Sequence, residues 1–130
     1  MTALVDIELE LISRGALRFP DAIVRDELDN SLLDELPTIQ INQIPGGGDD
    51  GIRLGRMLVD IDVYAATRVD AIALARDVHE WVTGELRGSH GPTVVFGRTG
   101  ALTLPAVRPY ENTGLRRVGA TYELFCHPVS

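Results

Sequence analysis

Lysine is absent from this chain: all 12 basic residues are arginine, set against 19 acidic ones, for a net charge of −7. A conventional nucleic-acid-binding surface displaces counterions with a basic patch. The acidic balance argues against such a surface, though not against DNA that passes nearby without being held. Cysteine is nearly absent too. Cys126 stands alone, so no intrachain disulfide can form and no cysteine-based zinc site can be built. It lies in the apolar run Tyr122 to Cys126 and reads as a small buried hydrophobe rather than a nucleophile. Aromatic residues make up 5% of the chain, too few for a saccharide cleft. No apolar run approaches the roughly 18–20 residues of a membrane-spanning helix. Met1 to Glu8 has neither the basic start nor the apolar centre of a secretory signal. Cytoplasm, or an assembly built there, is the expected compartment.

What is present fits one domain, 1–130, with a single core: 130 residues, 45% of them apolar. Val5, Ile7, Leu9 and Leu11 alternate with Asp6, Glu8 and Glu10 as in a strand. Leu4, Val5, Leu9, Ile12 and Ala16 also make a helical stripe. Helix-forming Leu and Glu, with carboxylates early, favour a helix over about residues 2–17. Phe19-Pro20-Asp21 ends it, and Ala22 to Leu28 reads as a short strand or a second helix, the strand being preferred. Thr38 to Ile44 is β-branched and partly alternating. Pro45-Gly46-Gly47-Gly48-Asp49-Asp50-Gly51 is expected to end that strand in a mobile connection. This is not a phosphate loop: it lacks the Gly-Lys-Ser/Thr ending, and its aspartates would repel phosphate.

Arg56 to Ala65 alternates clearly, with Met57, Val59, Ile61 and Val63 on one face and Leu58, Asp60, Asp62 and Tyr64 on the other. With the preceding strand it makes an antiparallel hairpin. Thr67, followed three residues later by Asp70, resembles a capping box. It opens a helix of about 20 residues, or roughly 30 Å. Val69, Ile72, Ala75, Val78, Val82 and Leu86 form its apolar face, and Gly88 to Pro92 stops it. The tail reads as strands around turns at Gly97 and Gly100, then a final strand with Val118, Ala120, Tyr122, Leu124 and Cys126 on one face. The fold class is α+β, a mainly antiparallel sheet with two helices packed on one face.

Three constellations invite a chemical reading. Asp60 and Asp62 share a strand face roughly 6–7 Å apart, a spacing suited to an acid–base pair or a Mg²⁺ site. No third ligand accompanies them, and alternating Asp on a half-solvated strand is a routine scaffold pattern. His79-Glu80 begins the metalloprotease helix motif, but the second histidine is replaced by Thr83. Ser13, Ser31, Ser89 and Ser130 lack a nucleophile-elbow context. Arg116-Arg117 before the last strand could hold a phosphate, but such a pair more commonly makes surface or interface salt bridges.

The segments "DIELELI", "ELPTIQINQIPGG", "VDIDVYAATRVDAIALARDVHEWV" and "GLRRVGATYEL", in this order of elements, resemble the tail terminator family of long-tailed bacteriophages. The resemblance implies a non-enzymatic virion protein without a cofactor, assembled in the host cytoplasm. It implies a homo-hexameric ring that caps the tail tube protein and joins it to the head–tail connector protein. The helices would pack on Met57, Val59, Ile61 and Val63. Asp60 and Asp62 would line the channel or meet a neighbouring subunit, where an acidic lining repels passing DNA without sequence-specific binding. Gly46, Gly47, Gly48, Asp49 and Asp50, flanked by Arg53 and Arg56, are expected to form a flexible interface loop. Val118 to Cys126 is expected at a sheet edge. Arg116 and Arg117 would then pair with Asp34-Glu35 or Asp49-Asp50 of the next subunit. The alternatives are another connector, stopper or tail-tube subunit, and, in a different class, a small metal-dependent enzyme using Asp60 and Asp62.

Overall fold

The computed structural model describes residues 5–49, 55–111 and 114–129. It is α+β: a six-stranded, mostly antiparallel sheet with two helices on one face. Helix α1 (Ile7–Arg18) starts where the Asp6 carboxylate accepts from the Leu9 backbone N–H at 3.1 Å, with Glu8 and Glu10 in the first turn. Carboxylates there complement the positive end of the helix dipole. Its buried stripe is Ile7, Leu11 and Gly15, not the stripe through Leu9 and Ala16. Leu9 is 61% exposed and Ala16 is exposed. Leu4 lies outside the described residues. The burial of Gly15 has a steric reason: a Cβ there would sit 3.2 Å from Val24 and 3.4 Å from Trp81.

Strands β1 (Ile23–Arg25), β2 (Thr38–Asp49) and β3 (Gly55–Ala65) follow, with a single 3₁₀ turn at Leu32–Asp34 between the first two. The connection expected from Pro45 onward is largely strand. Gly46, Gly47 and Gly48 continue β2, and the pairing resumes at Gly48 with Arg56 and Asp49 with Gly55 after a bulge. Gly47 has φ +80°, and a Cβ on it would overlap the Arg56 carbonyl. The glycines therefore carry the strand through a bulge that L side chains resist. Asp50 and Arg53 lie outside the described residues.

Helix α2 (Arg68–Glu80) is capped as expected, the Thr67 hydroxyl accepting from Asp70 N–H at 3.2 Å. It continues into one π-turn, Trp81–Glu85. Its buried residues are Ala71, Ala75 and Val78, then Trp81, Val82 and Leu86. Val69, placed on that face by spacing, is 76% exposed. Strand β4 (Val94–Ala101) runs through both glycines expected as turns: Gly97 falls in a register shift between Phe96 and Thr99, and Gly100 pairs regularly with Glu123. The buried Thr99 hydroxyl donates to the Val82 carbonyl at 2.6 Å and ties β4 to the end of the helix layer.

The strand order is β1-β2-β3-β6-β4, with β5 (Ala106–Arg108) also pairing β6 (Arg116–Pro128). The last strand is thus central, not an edge. It pairs β3 from Arg116 to Cys126, and its other side is shared by β4 and β5. Val59, Ile61, Val63, Val118, Ala120, Tyr122, Leu124 and Cys126 form the core beneath the helices. Burial pushes the Cys126 thiol up to about 11, so it stays protonated and packs as an apolar group.

Candidate functional site

The helix-free face of the sheet is where the polar residues of β3 converge. Because side chains alternate along a strand, Asp60 and Asp62 point away from the helices, as expected. Asp60 is half-buried, and Asp62 does not reach water. Asp62 is 3% exposed. Arg108 Nη1 from β5 lies 3.0 Å from one Asp62 oxygen, and Arg117 Nη2 from β6 lies 2.9 Å from the other. Arg108 also reaches Asp60 Oδ1 at 3.4 Å, and the Thr121 hydroxyl donates a short hydrogen bond to the same Asp60 oxygen. Further along the same face, Glu123 accepts from Arg56 Nε at 2.6 Å and faces Arg98 at 3.5 Å.

The cross-strand register explains why this lattice can form. Asp62 is paired with Gly119, and a Cβ at Gly119 would overlap the Asp62 carboxylate. Glycine in mid-strand marks a close approach, here of a carboxylate held over the neighbouring strand. The Asp62 hydrogen bond holds the Arg117 guanidinium more firmly protonated than usual, and Arg117 also stacks over the Tyr64 ring at 5.9 Å. The end of the face beyond Asp62 is covered. Leu32 and Leu115 bury Tyr64, helped by Leu28 and Leu36, and Tyr110 packs edge-on at 5.3 Å. Burial pushes the Tyr64 hydroxyl up to about 12, and it donates to Gln40 at 2.9 Å. The covering segment is itself tethered: Gln40 and Asn42 donate to the Asp26 carbonyl, and Arg25 pairs with Asp29 and Glu35.

This arrangement corrects several expectations. Asp60 and Asp62 do not present a free acidic lining, because the arginines of the same chain neutralise them. Arg117 is paired with Asp62 within the chain. Arg116 is exposed and donates to the Leu115 carbonyl at 3.0 Å. Glu35, one of the acidic partners expected for these arginines, is paired with Arg25. Arg56 belongs to a strand and to Glu123, not to a loop. Arg108 and Thr121 were missed as partners of the aspartates, and Glu123 as the partner of Arg56; the one signal available was Gly119, a mid-strand glycine among the polar-face positions Arg117, Thr121 and Glu123.

A carboxylate whose two oxygens each already accept from a guanidinium has little coordination capacity left for a cation. Among the described residues no group of three or more His, Cys, Asp or Glu side chains could hold a metal ion. His79 is not assembled with other ligands; its Nδ1 lies 3.2 Å from the Tyr122 hydroxyl. Among the described residues no helix is long and apolar enough to cross a membrane. The acidic excess is concentrated on residues 21–35, where Asp21, Asp26, Glu27, Asp29, Asp34 and Glu35 accompany the single Arg25. In comparison with known proteins, no protein-family model and no curated protein matches this chain.

Proposed function

We propose that this chain is a structural subunit of a long-tailed bacteriophage virion. In this reading it is a tail-terminator-like protein that forms a ring around the DNA channel, caps the tail tube and joins it to the head connector. The observation that supports the reading best is the order and layering of the elements. A helix, a short strand, a long hairpin, a second helix and a β-rich end that closes back on the hairpin form one sheet with both helices on one side. The commitment of the helix-free face also supports it. Its carboxylates and guanidiniums are spent on one another, as in a scaffold, rather than aimed at a common reacting atom. DNA passing such a face meets few unpaired cations to hold it. In this reading Asp21, Asp26, Glu27 and Asp34, which are in no ion pair among the described residues, take the repelling role expected of Asp60 and Asp62.

The test is to locate the chain in purified particles. Quantitative mass spectrometry of virions should find it at six copies per tail, and labelled particles should show it between tail tube and head connector. Phage lacking the chain should accumulate heads and tails that do not join. Particles of full infectivity without the chain would overturn the reading.

A further inference from the structure

Helix α2 has two unlike flanks, and each borders an open groove. On one flank Arg68, Ile72 and Arg76 recur every four residues and share a side of the helix. They face a cleft of about 570 Å³ whose other walls are Leu104, Val107 and Val118. The cleft exists because β5 extends the sheet past the helix layer. Val107 pairs with Val118 and so shares its helix-side face, but no helix covers it. Leu104 beside it is 73% exposed. On the opposite flank Asp70 and Asp77, with Ala73 and Leu74, face a groove of about 400 Å³ closed by Leu36 and Pro37.

None of these four charged residues has an ion-pair partner among the described residues. By contrast, the charges of the helix-free face, Asp60, Asp62, Glu123, Arg56, Arg108 and Arg117, are all paired within the chain. The spacings match as well. Arg68 and Arg76 are separated by about 12 Å along the axis and Asp70 and Asp77 by about 10 Å, at 1.5 Å per residue. Two ion pairs can therefore form together when one flank lies along the other, with the apolar side chains between them closing the groove.

We infer that α2 is a two-sided self-association element: the Arg68/Arg76 flank of one copy docks on the Asp70/Asp77 flank of a second copy. The occupant is fixed by charge complementarity and by the apolar lining that both grooves share. Because the two surfaces differ, the contact is head-to-tail. Repeating it gives a ring if the rotation closes and a filament if it does not. The inference deepens the ring reading above and rests on it for closure. The contact surfaces come from the flanks alone.

A charge-swap experiment with the intact chain tests this. Wild type should assemble with concentration in analytical ultracentrifugation. Arg68→Glu, Arg76→Glu and, separately, Asp70→Arg, Asp77→Arg should each weaken assembly by at least about tenfold through like-charge juxtaposition. An equimolar mixture of the two variants should assemble again, because every contact then joins unlike flanks. The single pair Arg76→Glu and Asp77→Arg repeats the test with less risk to the helix start, and circular dichroism checks that each variant is folded. Folded variants that assemble like wild type, a mixture that stays dissociated, or a wild type that stays monomeric at all concentrations would overturn the contact. If the variants assemble normally while wild-type chain is found in virions, the contact falls and the ring reading stands. If the swap succeeds but virions lack the chain, the contact stands and the virion reading falls.

Discussion

On β3, Val59, Ile61 and Val63 face the helices while Asp60, Asp62 and Tyr64 face the other way, yet Asp62 and Tyr64 are as buried as the valines. One face excludes water with apolar side chains packed under α1 and α2. The other excludes it with guanidiniums laid over carboxylates and with a loop that closes on Tyr64. The two differ in what holds them. Apolar contacts on the helix side are numerous and non-directional. The lattice on the other side rests on a few hydrogen bonds, and each is costly to break because its partner is left behind. A strand pattern tells which residues share a face; it does not tell whether the polar face is wet.

The comparison is broken most severely on the helix side. Trp81 is 4% exposed, packs edge-on with Phe19 at 5.6 Å and lies against Gly15. Trp81→Ala should cost about 3–5 kcal/mol in chemical denaturation, from lost transfer energy plus the cavity left behind. A loss under about 1 kcal/mol would mean that the helix layer is not the main source of stability.

A smaller but more specific loss is expected on the other face. Asp62→Ala strands Arg117 and half-releases Arg108, at a cost of about 1–3 kcal/mol, reduced where the arginines can reach water. Gly119→Ala should cost a similar amount, because its methyl group would displace the Asp62 carboxylate. The two changes act on one site, so they should not add: with Asp62 already removed, Gly119→Ala should cost clearly less than in the wild type, leaving only the 3.1 Å approach of its methyl group to the Ile61 carbonyl. A double mutant whose loss equals the sum of the singles would show that Gly119 is required by the strand itself and not by the carboxylate. Asp60→Asn, by contrast, should stay within about 0.5 kcal/mol, since that residue is only half-buried and keeps Thr121 nearby.

How much of this could be read from the chain follows the same division. The helix side was largely visible: the alternation from Met57 to Val63 and from Val118 to Cys126, the Thr67 cap, and most of the buried face of α2 are local patterns. Its errors were rotational. Leu9 and Val69 fit a helical stripe by spacing, but the neighbouring strands sit about one residue step further round. The other face was not visible, because its structure comes from register. Arg108 meets Asp62 across 46 positions and Arg117 meets it across 55, and no local pattern encodes such pairings. The central place of β6 is a topological fact of the same kind, as is the capacity of β2 to run through three glycines.

The gentlest test leaves both faces intact at neutral pH and asks whether each is dry. Tyr64 lies on the helix-free face and Tyr122 beneath the helices, and each is 1% exposed. Burial raises both hydroxyls above their ordinary value of 10.0, Tyr64 to about 12 and Tyr122 further. A group whose protonated form is favoured by the fold contributes its full stability below the unfolded value. That contribution is lost as pH rises from there toward the folded value. Stability should therefore hold up to about pH 10 and fall between about pH 10 and 12, with Tyr64 and Tyr122 ionising late in a phenolate absorbance titration. Tyr64→Phe should remove one late transition and Tyr122→Phe the other. Were the lattice face open to water, Tyr64 would ionise at its ordinary value while Tyr122 alone stayed late. That outcome would return Asp60 and Asp62 to a solvated surface and remove the dry ion-pair lattice from the account of this fold.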